Sequence, residues 1–120
     1  MRVAIVGCRD APKEVLADVC ALVCSLAAEE GSIVVTGDAR GVDAAAWAAA
    51  GFYRLNRSRH LADWRNLGRK AGPIRNGQIV AGCDRMVAFW DGKSRGTSDA
   101  IKQARAAGKP VEVRRFERDA

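Results

Sequence analysis

No apolar run in this chain approaches the roughly 20 residues needed to cross a bilayer, histidine occurs once, and the four cysteines supply no two close pairs. The first absence argues against a membrane partner or span. Met1-Arg2-Val3-Ala4-Ile5-Val6 is too short for the apolar core of a signal peptide and runs straight into a predicted strand, so a cytoplasmic location is expected. The other two absences argue against a zinc framework: Cys20 and Cys24 are four apart on a helical pattern, Cys8 and Cys83 are isolated, and His60 stands alone. No metal or other cofactor is expected, and the thiols are expected to be reduced and mostly buried. Cys8 differs, because it ends the first predicted strand beside a helix N-terminus, where a thiolate is favoured.

Acidic residues are scarce in one stretch. Between Arg54 and Arg75 the chain carries Arg54, Arg57, Arg59, Arg65, Arg69, Lys70 and Arg75 against Asp63 alone. With a net charge of +6, this bias predicts an anionic partner, a solvated basic face being the plainer alternative. A length of 120 residues suits one domain around one core, with no separate catalytic or regulatory module expected.

Strand and helix signals alternate. Arg2 to Val6 reads as a β-branched strand closed by Gly7, followed by a helix with Pro12 near its first position and apolar Val15, Leu16, Val19, Leu22, Val23 and Leu26 at helical spacing up to Gly31. Ser32 to Thr36 is a second apolar strand, and an alanine-rich helix follows from about Val42 to Ala50. A third strand is expected between Gly51 and Leu61, either at Phe52–Leu55 or at Arg59–Leu61, with polar Asn56-Arg57-Ser58 between them. Asp63 to Pro73 reads as a loop with a short helical turn, and Ile74 to Ala81 as a helix carrying Arg75 and Asn76 in its first turn. Arg85 to Trp90 is a strand, Ser98 to Ala107 a helix, and Pro110 to Val113 a last strand. Strands apolar on both faces suit a parallel sheet covered by helices. The fold class predicted is α/β, a single Rossmann-like three-layer sandwich with a mostly parallel sheet of about five strands, over residues 1–114, followed by a charged, frayed tail at 115–120.

Right-handed crossovers place the loops after Val6, Thr36 and Trp90 on one edge, at the carboxyl ends of the strands. Gly7-Cys8-Arg9 supplies a flexible glycine and a guanidinium there, without the glycine spacing of a dinucleotide fingerprint. Gly37 and Gly41 bracket the turn into the second helix, whose first turn holds Asp43, either a helix cap or a ligand contact. Gly92, Ser94, Gly96 and Thr97 form the strongest phosphate signal, since glycines permit close backbone approach and hydroxyls sit beside free helix amides, with Thr97 or Ser98 available as the cap. Arg75 at a helix start is expected to fork onto a phosphate or carboxylate. Trp64 borders these loops and offers a stacking face; Trp47 and Trp90 read as packing residues.

At these residues the chain resembles the YpsA-related SLOG family, a Rossmann-like branch that also holds LOG-type phosphoribohydrolases and the DNA-processing SMF/DprA proteins. The resemblance runs through Gly7-Cys8-Arg9-Asp10, Gly37-Asp38-Ala39-Arg40-Gly41-Val42-Asp43, Ala62-Asp63-Trp64, Gly68 to Asn76 and Phe89 to Thr97. It implies binding of a nucleotide or nucleotide-derived ligand, with Gly7, Cys8, Arg9, Gly37, Gly41, Asp43, Asp63, Trp64, Lys70, Arg75, Asn76, Asp91, Gly92, Ser94, Gly96 and Thr97 as ligand-binding residues. Three departures stand out. Cys8 replaces the family's serine; Asp38 stands where a second glycine is common and is expected to repel a nearby phosphate; and Ala100 falls where LOG-type enzymes carry the glutamate of Gly-Gly-x-Gly-Thr-x-x-Glu. Without that carboxylate the leading expectation is a sensor or carrier module. A phosphoribohydrolase acting on nucleoside monophosphates, with Asp43, Asp63, Asp91 or Asp99 as substitute acid, and a single-stranded nucleic-acid binder are the alternatives. A homo-oligomer is left open.

Overall fold

Arg2–Gly7 and Arg85–Trp90 form strands β1 and β4 at the centre of the sheet, which is where their two apolar faces require them to be. In this computed structural model, which describes residues 1–117, the chain continues from β1 through α1 (Lys13–Ala27), β2 (Ile33–Thr36), α2 (Val42–Phe52), β3 (Asn56–Arg59), α3 (Trp64–Leu67), a 3-10 turn (Gly68–Lys70), α4 (Ala71–Ala81), β4, α5 (Arg95–Ala106) and β5 (Val111–Arg115). The strands lie in the order β3-β2-β1-β4-β5, and every neighbouring pair is parallel. Successive strand residues point to opposite faces, so Val3 and Ile5 meet α1 and α2, while Ala4 and Val6 meet α4 and α5.

Val15, Val19, Leu22, Val23 and Leu26 give α1 its buried stripe, and Ala46, Ala49 and Ala50 give α2 a small-residue face that packs against it. On the other side Ile79 and Val80 of α4 and Ala100, Ile101 and Ala104 of α5 cover Val35, Met86 and Ala88. Each large side chain fully buried this way contributes about 1.5–3 kcal/mol. Cys8 and Cys83 are buried, but Cys20 and Cys24 are exposed, contrary to expectation. The valine and leucine stripe of α1 fills its inner face and turns both cysteines outward.

Four boundaries differ from those expected. The third strand is neither apolar candidate but the polar Asn56–Arg59 segment between them, held by its parallel pairing with β2 from Ile33↔Asn56 to Thr36↔Arg59. As an edge strand it needs no apolar outer face. Helix α4 begins at Ala71, with Gly72 and Pro73 inside its first turn, where proline's missing N–H costs nothing. Helix α5 begins at Arg95, with Ser94 rather than Thr97 or Ser98 at its N-cap. Strand β5 runs on to Arg115, and Phe116 donates its amide to the Trp90 carbonyl and packs against the core. Of the expected frayed tail, residues 118–120 lie outside the described residues. No described helix is long and apolar enough to cross a membrane.

Moving outward from β1, the chain goes to β2 on one side and to β4 on the other. A crevice opens at the carboxyl ends of two strands whose following helices lie on opposite faces, which is the general ligand position in open parallel sheets.

Candidate functional site

A cleft of about 540 Å³ occupies that crevice, within the range of small-molecule sites. Val6, Gly7, Arg9 and Asp10 line it from the β1 loop, Ala39 and Asp43 from the entry to α2, Trp64 from α3, Gly72, Pro73, Arg75 and Asn76 from α4, and Ser94 to Thr97 with Asp99 and Ala100 from α5.

Glycines set how closely these walls meet. A Cβ at Gly7 would stand 2.7 Å from both the Phe89 carbonyl and Val42 Cγ2. Gly41 has φ of 78°, and a Cβ there would run into the Cys8 and Arg9 carbonyls; the next amide, Val42 N–H, donates to Cys8 O at 3.2 Å. The start of α2 is thereby pinned to the β1 loop. A Cβ at Gly37 would lie 2.5 Å from Asp43 Oδ2 and 2.8 Å from Arg75 Nη1. Glycine is what lets that carboxylate and that guanidinium close over the end of β2.

Asp43 is 4% exposed. Its Oδ2 accepts the Ala39 amide at 3.3 Å, while its Oδ1 is buried with no hydrogen-bond partner among the described residues. Asp43 stays in the first turn of α2, where a carboxylate suits the helix dipole, but the amide it accepts belongs to Ala39, ahead of the helix. Burial raises the Asp43 pKa from 3.8 to about 6; the Arg75 guanidinium and the nearby Ala39 and Gly7 amides pull it back in part, and Asp38 adds to the rise.

Arg75 is buried and already engaged. Its Nη1 donates to Asp38 Oδ1 at 2.6 Å and its Nε to Asn76 Oδ1 at 3.2 Å. Asn76 Nδ2 continues the network to the Gly96 carbonyl at 3.1 Å and to Asp99 Oδ2 at 3.0 Å. Asp38, expected to repel a phosphate, instead pairs with this guanidinium and accepts the Ala62 amide at 3.2 Å, tying the loop before α3 to the end of β2. Because α4 starts three residues earlier than expected, Arg75 sits one turn inside the helix, within reach of Asp38.

At the head of α5 the Asp91 carboxylate accepts the Lys93 and Ser94 amides at 2.9 and 2.8 Å, and Trp90 Nε1 donates to the Ser94 carbonyl at 3.0 Å. The first helical bond runs from Ser98 N–H to Ser94 O. The amides of Arg95, Gly96 and Thr97 are left without a protein acceptor among the described residues, and the positive end of the helix dipole adds to them. On the opposite wall Trp64 is 47% exposed, with the Arg9 guanidinium 5.9 Å from its ring centroid. A Cβ at Gly72 would stand 3.1 Å from Trp64 Cη2, so the ring lies close against the start of α4.

The cleft thus gathers Gly7, Arg9, Asp43, Trp64, Arg75, Asn76, Ser94, Gly96 and Thr97 from the residues expected in a site. Cys8, Gly37 and Gly41 stand behind its walls; Cys8 is buried with its sulfur 3.9 Å from Thr97 Oγ1. Asp63, Lys70, Asp91 and Gly92 lie off the cleft. Asp63 caps α3 through Asn66, Lys70 is exposed at the end of the 3-10 turn, and Gly92, with φ of 82°, lies under the Arg115 guanidinium. Arg95 was missed as a cleft residue, and Asp99, expected only as a substitute acid, lines the cleft as well. Reading α5 from Arg95 would have shown that both flank its first turn. Ala100 is buried in the cleft wall, so the position that the resemblance gives to a glutamate offers no carboxylate, and neighbouring Asp99 is held by Asn76 and by Gln103 Nε2 at 2.8 Å. No group of three potential metal ligands occurs among the described residues.

No protein-family model matches this chain. Among solved structures, DNA processing protein A from Helicobacter pylori superposes with a TM-score of 0.75 at 22% identity, over 94% of this chain and 64% of that one. DprA from Streptococcus pneumoniae gives 0.77 at 21% identity, over 93% and 49% respectively. The protein TM1055 gives 0.71 at 23% identity, over 92% and 71%. At these identities the likeness is one of fold, and the chain spans less than two thirds of either DNA processing protein. Gene 61 protein of Mycobacterium phage D29 is 43% identical over 88 residues, covering 68% of this chain and 70% of that protein. The chain belongs to the family of this phage protein.

Proposed function

We propose that this chain is a SLOG-type module that binds a nucleotide or nucleotide-derived ligand in the cleft at the sheet's crevice. The observation that carries the reading is the head of α5, where the Arg95, Gly96 and Thr97 amides have no acceptor among the described residues and their residues line a cleft of about 540 Å³. Such a helix start holds a phosphate by N–H donation and dipole together. Arg75 already faces Asp38, so the countercharge for the phosphate comes from the helix, with Arg9 and Arg95 at the rim. The Trp64 ring offers the base a stacking face worth about 1–3 kcal/mol.

Thermal shift with AMP, ADP-ribose and NAD tests the proposal, because a ligand at 100 times its dissociation constant stabilises by about 2.7 kcal/mol. The companion variant is Gly96→Asp. A Cβ at Gly96 meets nothing within 4 Å, and an acid in the first helical turn favours α5 by about 0.3–1 kcal/mol while repelling a phosphate. The expected result is a variant at least as stable as the parent that has lost the ligand shift. No shift with any of the three, or an equal shift in Gly96→Asp, would defeat the reading.

A second reading, single-stranded nucleic acid, is favoured by a different observation. Arg54, Arg57, Arg59, Arg65, Arg69 and Lys70 make no ion pair with a carboxylate among the described residues, and Arg57 and Arg59 instead lie 3.9 and 4.4 Å from the Trp47 ring centroid. The Helicobacter pylori structural relative is a protein with a single-stranded DNA binding mode. Oligonucleotide affinity that falls steeply with salt, and that mononucleotides do not compete away, would favour this second reading.

A further inference from the structure

Asp43 lines the cleft, and its Oδ1 is buried with no hydrogen-bond partner among the described residues; a buried acceptor left without a donor is destabilising, the more so when charged. Its neighbours define what can complete it. Arg75 already stands beside the carboxylate and is neutralised by Asp38, so a second cation would meet a guanidinium at close range. A phosphate would meet the carboxylate itself. A neutral O–H donor meets neither difficulty.

The hydrogen-bonded path from Asp38 through Arg75 and Asn76 ends on the Gly96 carbonyl, and Asp43 lines the same cleft as Arg95, Gly96 and Thr97. In a nucleoside monophosphate the group adjoining the phosphate is the sugar, and its ring hydroxyls are neutral donors. Resting on the nucleotide reading above, we propose that Asp43 is the specificity-determining residue of this cleft: its Oδ1 accepts a hydrogen bond from a ring hydroxyl of a ribonucleotide whose phosphate sits on the Arg95–Thr97 amides, and it thereby selects hydroxyl-bearing sugars over deoxygenated ones. The base then extends towards Trp64 and Arg9 at the mouth. Asn76 and Arg75 act as positioning residues, since their bonds are made to the protein.

Calorimetric titration of the full chain with AMP and with dideoxy-AMP, which lacks both ring hydroxyls, tests this. The parent is expected to prefer AMP by about ten- to a hundredfold, the range for a hydrogen bond to a charged group. In Asp43→Asn the preference is expected to shrink to a few-fold or less, because an asparagine that keeps its oxygen on the Ala39 amide turns an N–H₂ donor towards the sugar. A urea transition recorded on the same sample shows that the variant is folded. Equal affinity of the parent for the two ligands overturns the role of Asp43 while leaving the nucleotide reading intact. A preference that survives unchanged in a folded Asp43→Asn overturns it as well, by assigning selection to another group. Failure of the parent to bind either ligand overturns the nucleotide reading and this inference with it.

Discussion

Replacing Asp43 by asparagine should stabilise the free protein, and the gain should depend on pH in a defined direction. The folded pKa of Asp43 is raised from 3.8 to about 6, chiefly by burial. A shift of about two units at about 1.4 kcal/mol per unit means that ionising this group costs about 3 kcal/mol more in the folded protein than in the unfolded chain. Between pH 3.8 and about 6 the folded state keeps a proton that the unfolded state has released. Stability from this group is therefore full below the lower value and is lost as pH rises to the upper one. Asparagine keeps the size and the acceptor for the Ala39 amide but carries no charge to desolvate, while Arg75 retains Asp38. Urea unfolding followed by tryptophan fluorescence should show Asp43→Asn more stable by about 2–3 kcal/mol near neutral pH, a midpoint shift of about 1–1.5 M at an m-value of about 2 kcal/mol/M. The difference between variant and parent should close as pH falls to about 4. A variant equal to or weaker than the parent near neutral pH, or a difference that does not change with pH, would refute the argument that Asp43 is a buried carboxylate kept at a cost in stability.

Gly41→Ala should cost about 2–5 kcal/mol, combining the left-handed backbone with a collision against the Cys8 and Arg9 carbonyls. Gly31→Ala, at φ of 80° with nothing within 4 Å, should cost only about 1–2 kcal/mol, and equal losses in the two urea transitions would contradict the pinning of α2 to the β1 loop. Trp64→Ala should weaken AMP binding about ten- to a hundredfold while leaving inorganic phosphate affinity unchanged, as titration calorimetry can resolve. Prolonged incubation with AMP should release no free adenine detectable by chromatography, because Ala100 leaves the expected carboxylate position empty of charge; release that disappears in Asp43→Asn would instead make the module a hydrolase.

The parts of this fold legible in the sequence are those fixed by local apolar patterning. Val3 to Val6 and Met86 to Phe89 are apolar on both faces and could only be central strands of a parallel sheet. Asn56–Arg59 carried no such signal, because its place in the sheet comes from pairing with β2 and not from its own side chains. The helices start at Ala71 and Arg95, ahead of where local sequence places them, for a shared reason: Gly72-Pro73 and Gly96 look like loop residues, yet glycine and proline are tolerated in a first turn. That displacement matters for the site, since it hides Arg95 and puts Arg75 one turn too near the helix end. The Arg75 to Asp38 pair joins residues 37 apart and is set by the tertiary fold alone. Asp63 and Asp91 show the converse: as short carboxylates before helices they had an ordinary capping use, and the fold employs it.

Titration of ¹⁵N-labelled protein with AMP, followed by amide chemical shifts, tests the central assignment most directly. The Arg95, Gly96 and Thr97 amides should move together and saturate, with Asp43 and the indole N–H of Trp64 following the same curve. Shifts confined to Arg54–Arg59, or no saturating shift at the head of α5, would contradict the assignment of the cleft as a phosphate and nucleotide site.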